Sequence, residues 1–239
     1  MSDETSSSER RSRKWRIPPA VRSNRESISG QKILEEVAND LGIMLWQAYR
    51  DVELWADTEP EERGELFQPV AFDRIMQRLA LISAPPVVIE QLSIIADGTR
   101  TERAADPLVL SAACLSISDW ATAEGYSWAA VSFAQAGALA APESAAAAYE
   151  VGRAARRAAD YSKAESWYQR SIALARRSGE WETYALAQAG IGSTFFQRGA
   201  IPPARRALFR ALRTARKHRI WSVRGVALHY LFAIAANGR

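Results

Sequence analysis

Two stretches of this chain follow one residue pattern 40 positions apart, and no other feature narrows its possible folds as much. Val151-Gly152, Ala155, Ala164, Tyr168 and Ser171 are answered by Ile191-Gly192, Phe195, Ala204, Leu208 and Ala211. An aliphatic residue before a small one, then small, large and small residues 12, 16 and 19 positions further on, describe two helices crossing closely at fixed depths. Such a hairpin cannot bury its apolar face alone, so the pattern predicts a stack of hairpins. Gly152 and Gly192 are expected at the crossing, where close packing leaves no room for a side chain. The offsets recur in degenerate form at Ala112, Leu115, Glu124, Trp128 and Val131. Forty residues beyond Gly192 they reach Leu231-Phe232 and Ala235. The sequence is thus expected to close on the first helix of another repeat. Either that helix is a terminal cap, which the stop residues Asn237-Gly238 favour, or it continues into a longer protein.

Composition agrees with an all-α chain. Apolar residues make up 48%, eight Trp can anchor small-residue helices, and Pro falls in pairs at 18-19, 85-86 and 202-203, where it punctuates elements. No strand-like alternation stands out. The single cysteine, Cys114, lies in a run of small residues and reads as a buried, inert thiol in a reducing compartment. Charges and Pro85-Pro86 interrupt every long apolar run, so no membrane span is expected. Arg10-Arg11 is followed by charge and proline where an export signal needs an apolar segment, and the chain reads as cytoplasmic.

The net charge of +4 conceals a segregation. Residues 1–25 carry seven Lys/Arg against three Asp/Glu, residues 26–182 carry 14 against 24, and residues 183–239 carry ten against none. Basic ends and an acidic middle can steer an anionic partner, or are solvated helix faces.

Residues 1–28, with Arg10-Arg11-Ser12-Arg13-Lys14 and few apolar side chains, are expected to form a disordered basic arm. Trp15 and Ile17 beside that cluster make a short docking motif for nucleic acid or an acidic surface, or else the arm is a plain solubilising tail. Residues 29–105 read as a helical cap region. Its expected helices are Ser29 to about Ala56, a short acidic one from Thr58 to near Pro69, Val70 to Ile82, and one opening at Pro85-Pro86 and stopped by Asp97-Gly98. Residues 106–239 form the repeat region.

Enzyme chemistry finds no constellation. The histidines, His218 and His229, are 11 positions apart across a helix break. One cysteine, no glycine-rich phosphate loop and carboxylates on outward helix positions assemble neither a nucleophile–base pair nor a metal site. No cofactor is implied. Gly190-Ile191-Gly192 reads as repeat positions within a helix.

The small residues Gly152, Ala164, Ser171 and Gly192, Ala204, Ala211 resemble the helix-contact signature of the tetratricopeptide repeat. The period departs from the family's usual 34 residues; the extra length falls around Ser178-Gly179-Glu180-Trp181-Glu182. Longer repeats of this sort are similar to those in bacterial signalling and transcription-regulator sensor domains. The resemblance implies a right-handed α-solenoid serving as a non-catalytic scaffold or regulatory subunit. It also implies a concave groove lined by the first helix of each repeat, here with Tyr149, Arg153, Arg156, Ser193, Phe196, Gln197 and His229. That mixture of aromatic, cationic and amide groups suits a protein or peptide partner of acidic character.

On the helix opened by Pro203, Ala204, Ala207, Leu208, Ala211, Leu212 and Ala215 form an apolar stripe, while Arg206, Arg210, Arg213 and Lys217 form a basic ridge on another face. The ridge is a solvated face, a contact for an acidic protein surface, or a phosphate-binding strip. The last makes a nucleic-acid-associated regulator, using arm and ridge, the alternative function.

Overall fold

The computed structural model describes residues 17–20, 28–68, 70–100 and 106–236, with the backbone alone for 28–30. Among these residues there are eleven α-helices and no strand. They are α1 (Ile28–Glu36), α2 (Asn39–Asp57), α3 (Val70–Leu79), α4 (Pro86–Arg100), α5 (Pro107–Glu124), α6 (Ser127–Ala140), α7 (Ala145–Arg157), α8 (Tyr161–Ser178), α9 (Trp181–Gln197), α10 (Ile201–Lys217) and α11 (Trp221–Ala236). The chain divides into two compact units, one of residues 22–142 and 153–160, the other of residues 1–21, 143–152 and 161–239. The basic arm lies outside the described residues apart from Ile17–Ala20, and so does the stop at Asn237-Gly238.

In the unit of residues 22–142 and 153–160, large side chains make the core. Ile33, Leu45, Val52, Trp55, Leu79, Leu92, Ile95, Leu110, Ile117 and Phe133 are buried in one cluster. The buried carboxylate of Asp51 on α2 accepts from Nε and Nη2 of Arg100 on α4 at 2.9 and 2.5 Å, and the guanidinium stacks 4.3 Å from the Phe67 ring. Burial pushes the Asp51 carboxyl above its ordinary value, and Arg100 offsets this only in part. The start of α6 is capped from a distance. The Glu36 carboxylate on α1 accepts from the backbone N–H of Trp128 at 2.9 Å and of Ala129 at 3.1 Å, while Lys32 Nζ lies 3.2 Å from the Trp128 ring centroid. Cys114 is fully buried, and desolvation raises its thiol pKa, keeping it protonated.

Three expected elements of this unit come out differently. The helix expected over Ser29 to Ala56 is two, because Asn39 takes φ +67° and breaks the chain between α1 and α2. The acidic stretch after Thr58 forms one 3-10 turn, Arg63–Glu65, instead of a helix. Gly98 does not stop α4, which runs on to Arg100, where the pairing with Asp51 holds the last turn.

The α5–α6 hairpin is cleanly delimited. Pro107 opens α5, the Asp106 carboxylate accepts from Leu108 N–H, and Gly125 at φ +85° closes it. Its close approach does not follow the 40-residue register. Ala112 and Trp128 are exposed, and the contact is Gly137 on α6, where an added Cβ would lie 3.0 Å from the Ser111 carbonyl and 3.3 Å from Cys114 Cβ.

The unit of residues 1–21, 143–152 and 161–239 is packed by alanine and glycine around single large residues. The Tyr168 ring of α8 is wedged between two glycines. A Cβ on Gly152 would lie 2.6 Å from Tyr168 Cδ1, and one on Gly190 would lie 2.5 Å from its Cζ. Forty residues after Gly152, a Cβ on Gly192 would lie 2.6 Å from Leu208 Cγ on α10. Both expected glycines therefore sit at helix crossings filled by the large residue 16 positions on. The turns repeat as well. Ala159 and Gly199 follow the first helices with φ +58° and +74°, and Gly179 and Arg219 follow the second helices with φ +77° and +59°. The backbone thus has the period of the side chains, even where alanine and arginine must occupy the left-handed region.

Candidate functional site

The expected groove residues divide between the units. In the unit of residues 22–142 and 153–160, Arg153 is not free: its Nη2 pairs with Asp119 Oδ1 at 2.5 Å. Arg156 is half-buried, and its Nε is buried without a hydrogen-bond partner among the described residues. A donor in that position costs free energy until an acceptor reaches it.

In the other unit, Tyr149 tilts against Tyr168 with centroids 5.7 Å apart and forms part of the α7–α8 packing. Ser193 is buried and its hydroxyl donates to the Gly190 carbonyl at 2.9 Å, within its own helix. Phe196 and His229 are brought together by a residue the sequence did not single out, while Gln197 is exposed at the end of α9. Tyr230 meets Phe196 edge-on at 5.7 Å and His229 edge-on at 5.4 Å, so α9 and α11 share a row of three rings. The signal for Tyr230 was faint, because α11 is apolar on nearly every face and its periodicity marks no inward side.

On α10 the apolar and the basic residues differ in burial. Ala204, Ala207, Leu208, Ala211, Leu212 and Ala215 are buried, and Arg206, Arg210, Arg213 and Lys217 are exposed. Arg206 and Arg210 also form the rim of a cleft of about 420 Å³ between α8, α9 and α10, floored by Ile172, Ile191, Phe195 and Ala207. On its other side are Glu165 and Gln169, and Glu165 pairs with Arg198 at 3.4 Å. On α8, half-buried Arg170 donates from Nη1 to the Pro18 carbonyl at 2.7 Å, tying the Ile17–Ala20 segment to the helix.

The two units carry net charge of opposite sign. The unit with α8 to α11 has 19 Lys/Arg against 8 Asp/Glu, and the other 12 against 19. Among the described residues no group of His, Cys, Asp and Glu is arranged to hold a metal ion, and no helix is long and apolar enough to cross a membrane.

Residues 143–217 match the family model for the tetratricopeptide repeat. Comparison with curated proteins and with solved structures returned no match. The matched stretch is the one in which α7 to α10 repeat their glycine crossings and left-handed turns at 40-residue intervals, and with those hairpins the chain is a tetratricopeptide-repeat-like helical repeat protein.

Proposed function

We propose that this chain is a non-catalytic protein–protein interaction module, a cytoplasmic scaffold or regulatory subunit, whose repeat-bearing unit takes an acidic segment of a protein partner. The observation that carries this reading is the charge of that unit, 19 basic side chains against 8 acidic ones, on a repeat architecture whose family generally mediates protein–protein contacts. A field of one sign raises the rate of encounter with a partner of the other. The contact surface is the α9–α11 row of Phe196, Tyr230 and His229 with Gln197. Rings supply rigid area at low entropic cost, and the amide fixes register.

Capture of a partner by the intact protein, followed by titration against Gln197→Ala and His229→Ala, tests this. A partner held equally well by both variants removes the surface. The alternative, a nucleic-acid-associated regulator, is favoured by one observation: Arg206, Arg210, Arg213 and Lys217 all stand exposed on one helix. Binding to generic duplex and RNA at rising salt separates the two. Lys/Arg contacts to phosphate give a steep loss with salt. No binding at low salt leaves the protein-binding reading alone.

A further inference from the structure

Helix α9 shows what the first helix of a repeat requires. Its face toward α10 finds partners along its length, with Trp181 at its start keeping 38% of its surface exposed. Trp181 stacks on His218 with centroids 4.8 Å apart and planes 18° apart. Ala185 packs with Ala211, Leu212 and Ala215, Gly192 receives Leu208, and Phe195 lies against Ala204 and Leu208. Forty residues on, the same register in α11 reads Trp221, Gly225, Phe232 and Ala235, with Leu228 between them. No described helix covers it. Trp221 is 71% exposed, Leu228 48% and Phe232 75%, and nothing lies within 4 Å of a Cβ placed on Gly225. These residues recur at spacings of four, three, four and three along one side of α11, while Val223, Ala227 and Ile234 are buried on the other.

We propose that this stripe of α11 is a docking surface for an amphipathic helix of a partner protein, one with acidic flanks and a small residue at its centre. The charge requirement comes from the surroundings. Arg224 lies 4.3 Å from the Trp221 ring at the edge of the stripe; a carboxylate in contact with α11 there, Glu182, accepts from the Ser222 hydroxyl at 3.5 Å, and residues 183–239 contain ten cations and no carboxylate side chain. The same face of a second copy would bring like charge against it. The size requirement comes from the register. In the two complete hairpins the first helix has glycine and the second supplies Tyr168 or Leu208. In α11 the glycine position is Phe232, so the knob is on the receiving helix and the incoming one must leave the gap. The inference rests on the protein-binding reading above but uses a different face of α11.

The test is binding of synthetic helices to the intact protein, followed by fluorescence anisotropy at physiological salt. The probe is an amphipathic peptide of about five turns, with a Leu stripe, Glu flanks and Ala at the central stripe position. It is expected to bind, and its Lys-flanked counterpart to bind at least about tenfold more weakly. Phe232→Glu and Leu228→Glu, both at exposed positions, each lower affinity about 30-fold or more while leaving the circular dichroism spectrum unchanged. Phe232→Ala reverses the size preference, taking a peptide with central Leu in favour of central Ala. Equal binding of the acidic probe by Phe232→Glu and by the parent overturns the proposal. So does a concentration-dependent dimer lost on Phe232→Glu, which assigns the stripe to a second copy. A captured partner that depends on Gln197 and His229 but not on Phe232 or Leu228 overturns this inference and leaves the interaction-module reading standing. A protein that takes neither probe nor partner brings down both.

Discussion

The helices between Ile28 and Arg100 and those between Ala145 and Lys217 solve the packing problem in opposite ways. The first group interlocks large side chains, with Leu45, Val52, Trp55, Leu92 and Ile95 buried against one another. The second brings backbones together over alanine and glycine and closes each crossing with one large residue, Tyr168 or Leu208. A core of large side chains fails when something is taken away. A glycine crossing fails when something is added.

The largest effect is expected in the first group, at its buried ion pair. Arg100→Ala removes the partner of a buried carboxylate and should cost about 3–5 kcal/mol at neutral pH, measured by denaturant unfolding. The penalty should shrink with acidification. Burial already raises the folded-state pKa of Asp51 above its ordinary 3.8, and losing Arg100 raises it further. The carboxyl's favourable contribution is thus fully present below the unfolded pKa and is lost as pH rises through the folded one. A penalty unchanged between neutral pH and pH values near 4 would show that Asp51 is not the group left stranded.

Deletion in the same core is next. Leu45 is fully buried, and Leu45→Ala should cost roughly 2–5 kcal/mol, depending on how far the helices collapse into the space. The contrasting experiment is addition in the second group. Gly152→Leu and Gly192→Leu must displace the Tyr168 ring or Leu208 and should lose about 1–3 kcal/mol or more. Gln169→Leu, at an exposed position of α8, should stay within about 0.5 kcal/mol of the parent. Thermal melts decide between overpacking and propensity, since an exposed helical glycine would be stabilised by substitution. If the glycine variants melt with or above the parent, the contrast between the two groups collapses. The smallest effect has the opposite sign. Ala159 and Arg219 occupy the left-handed region at positions matching Gly199 and Gly179, so Ala159→Gly and Arg219→Gly should each stabilise by roughly 0.5 kcal/mol.

The same contrast explains what was readable. In the repeats a glycine is required by the neighbour it meets, so Gly152 and Gly192 carried the crossing in the sequence itself. The break between α1 and α2 was hidden because apolar spacing continues through it, from Ile33 and Val37 to Leu41, Met44 and Leu45. Only Asn39, a residue tolerant of positive φ, marked it. Gly98 looked like a stop because the residue that keeps α4 going, Asp51, is far away in sequence. Of the expected groove set, Phe196 and His229 come together, but through Tyr230. Ser193 is buried, because a position on the inner helix of a hairpin does not say which side of that helix its neighbours cover. Arg153 is tied up by Asp119, a pairing no local pattern announces.

The cap on α6 also bears on how the chain folds. The first N–H groups of a helix find no partner within it, and here the carboxylate that meets two of them belongs to Glu36, 92 residues before Trp128. Local contacts form early, whereas closure of a long loop precedes any reward from the contact it brings. The first turn of α6 is therefore completed late, when α1 arrives, and a residue near the start of the described chain sets the moment at which a helix in its middle is finished.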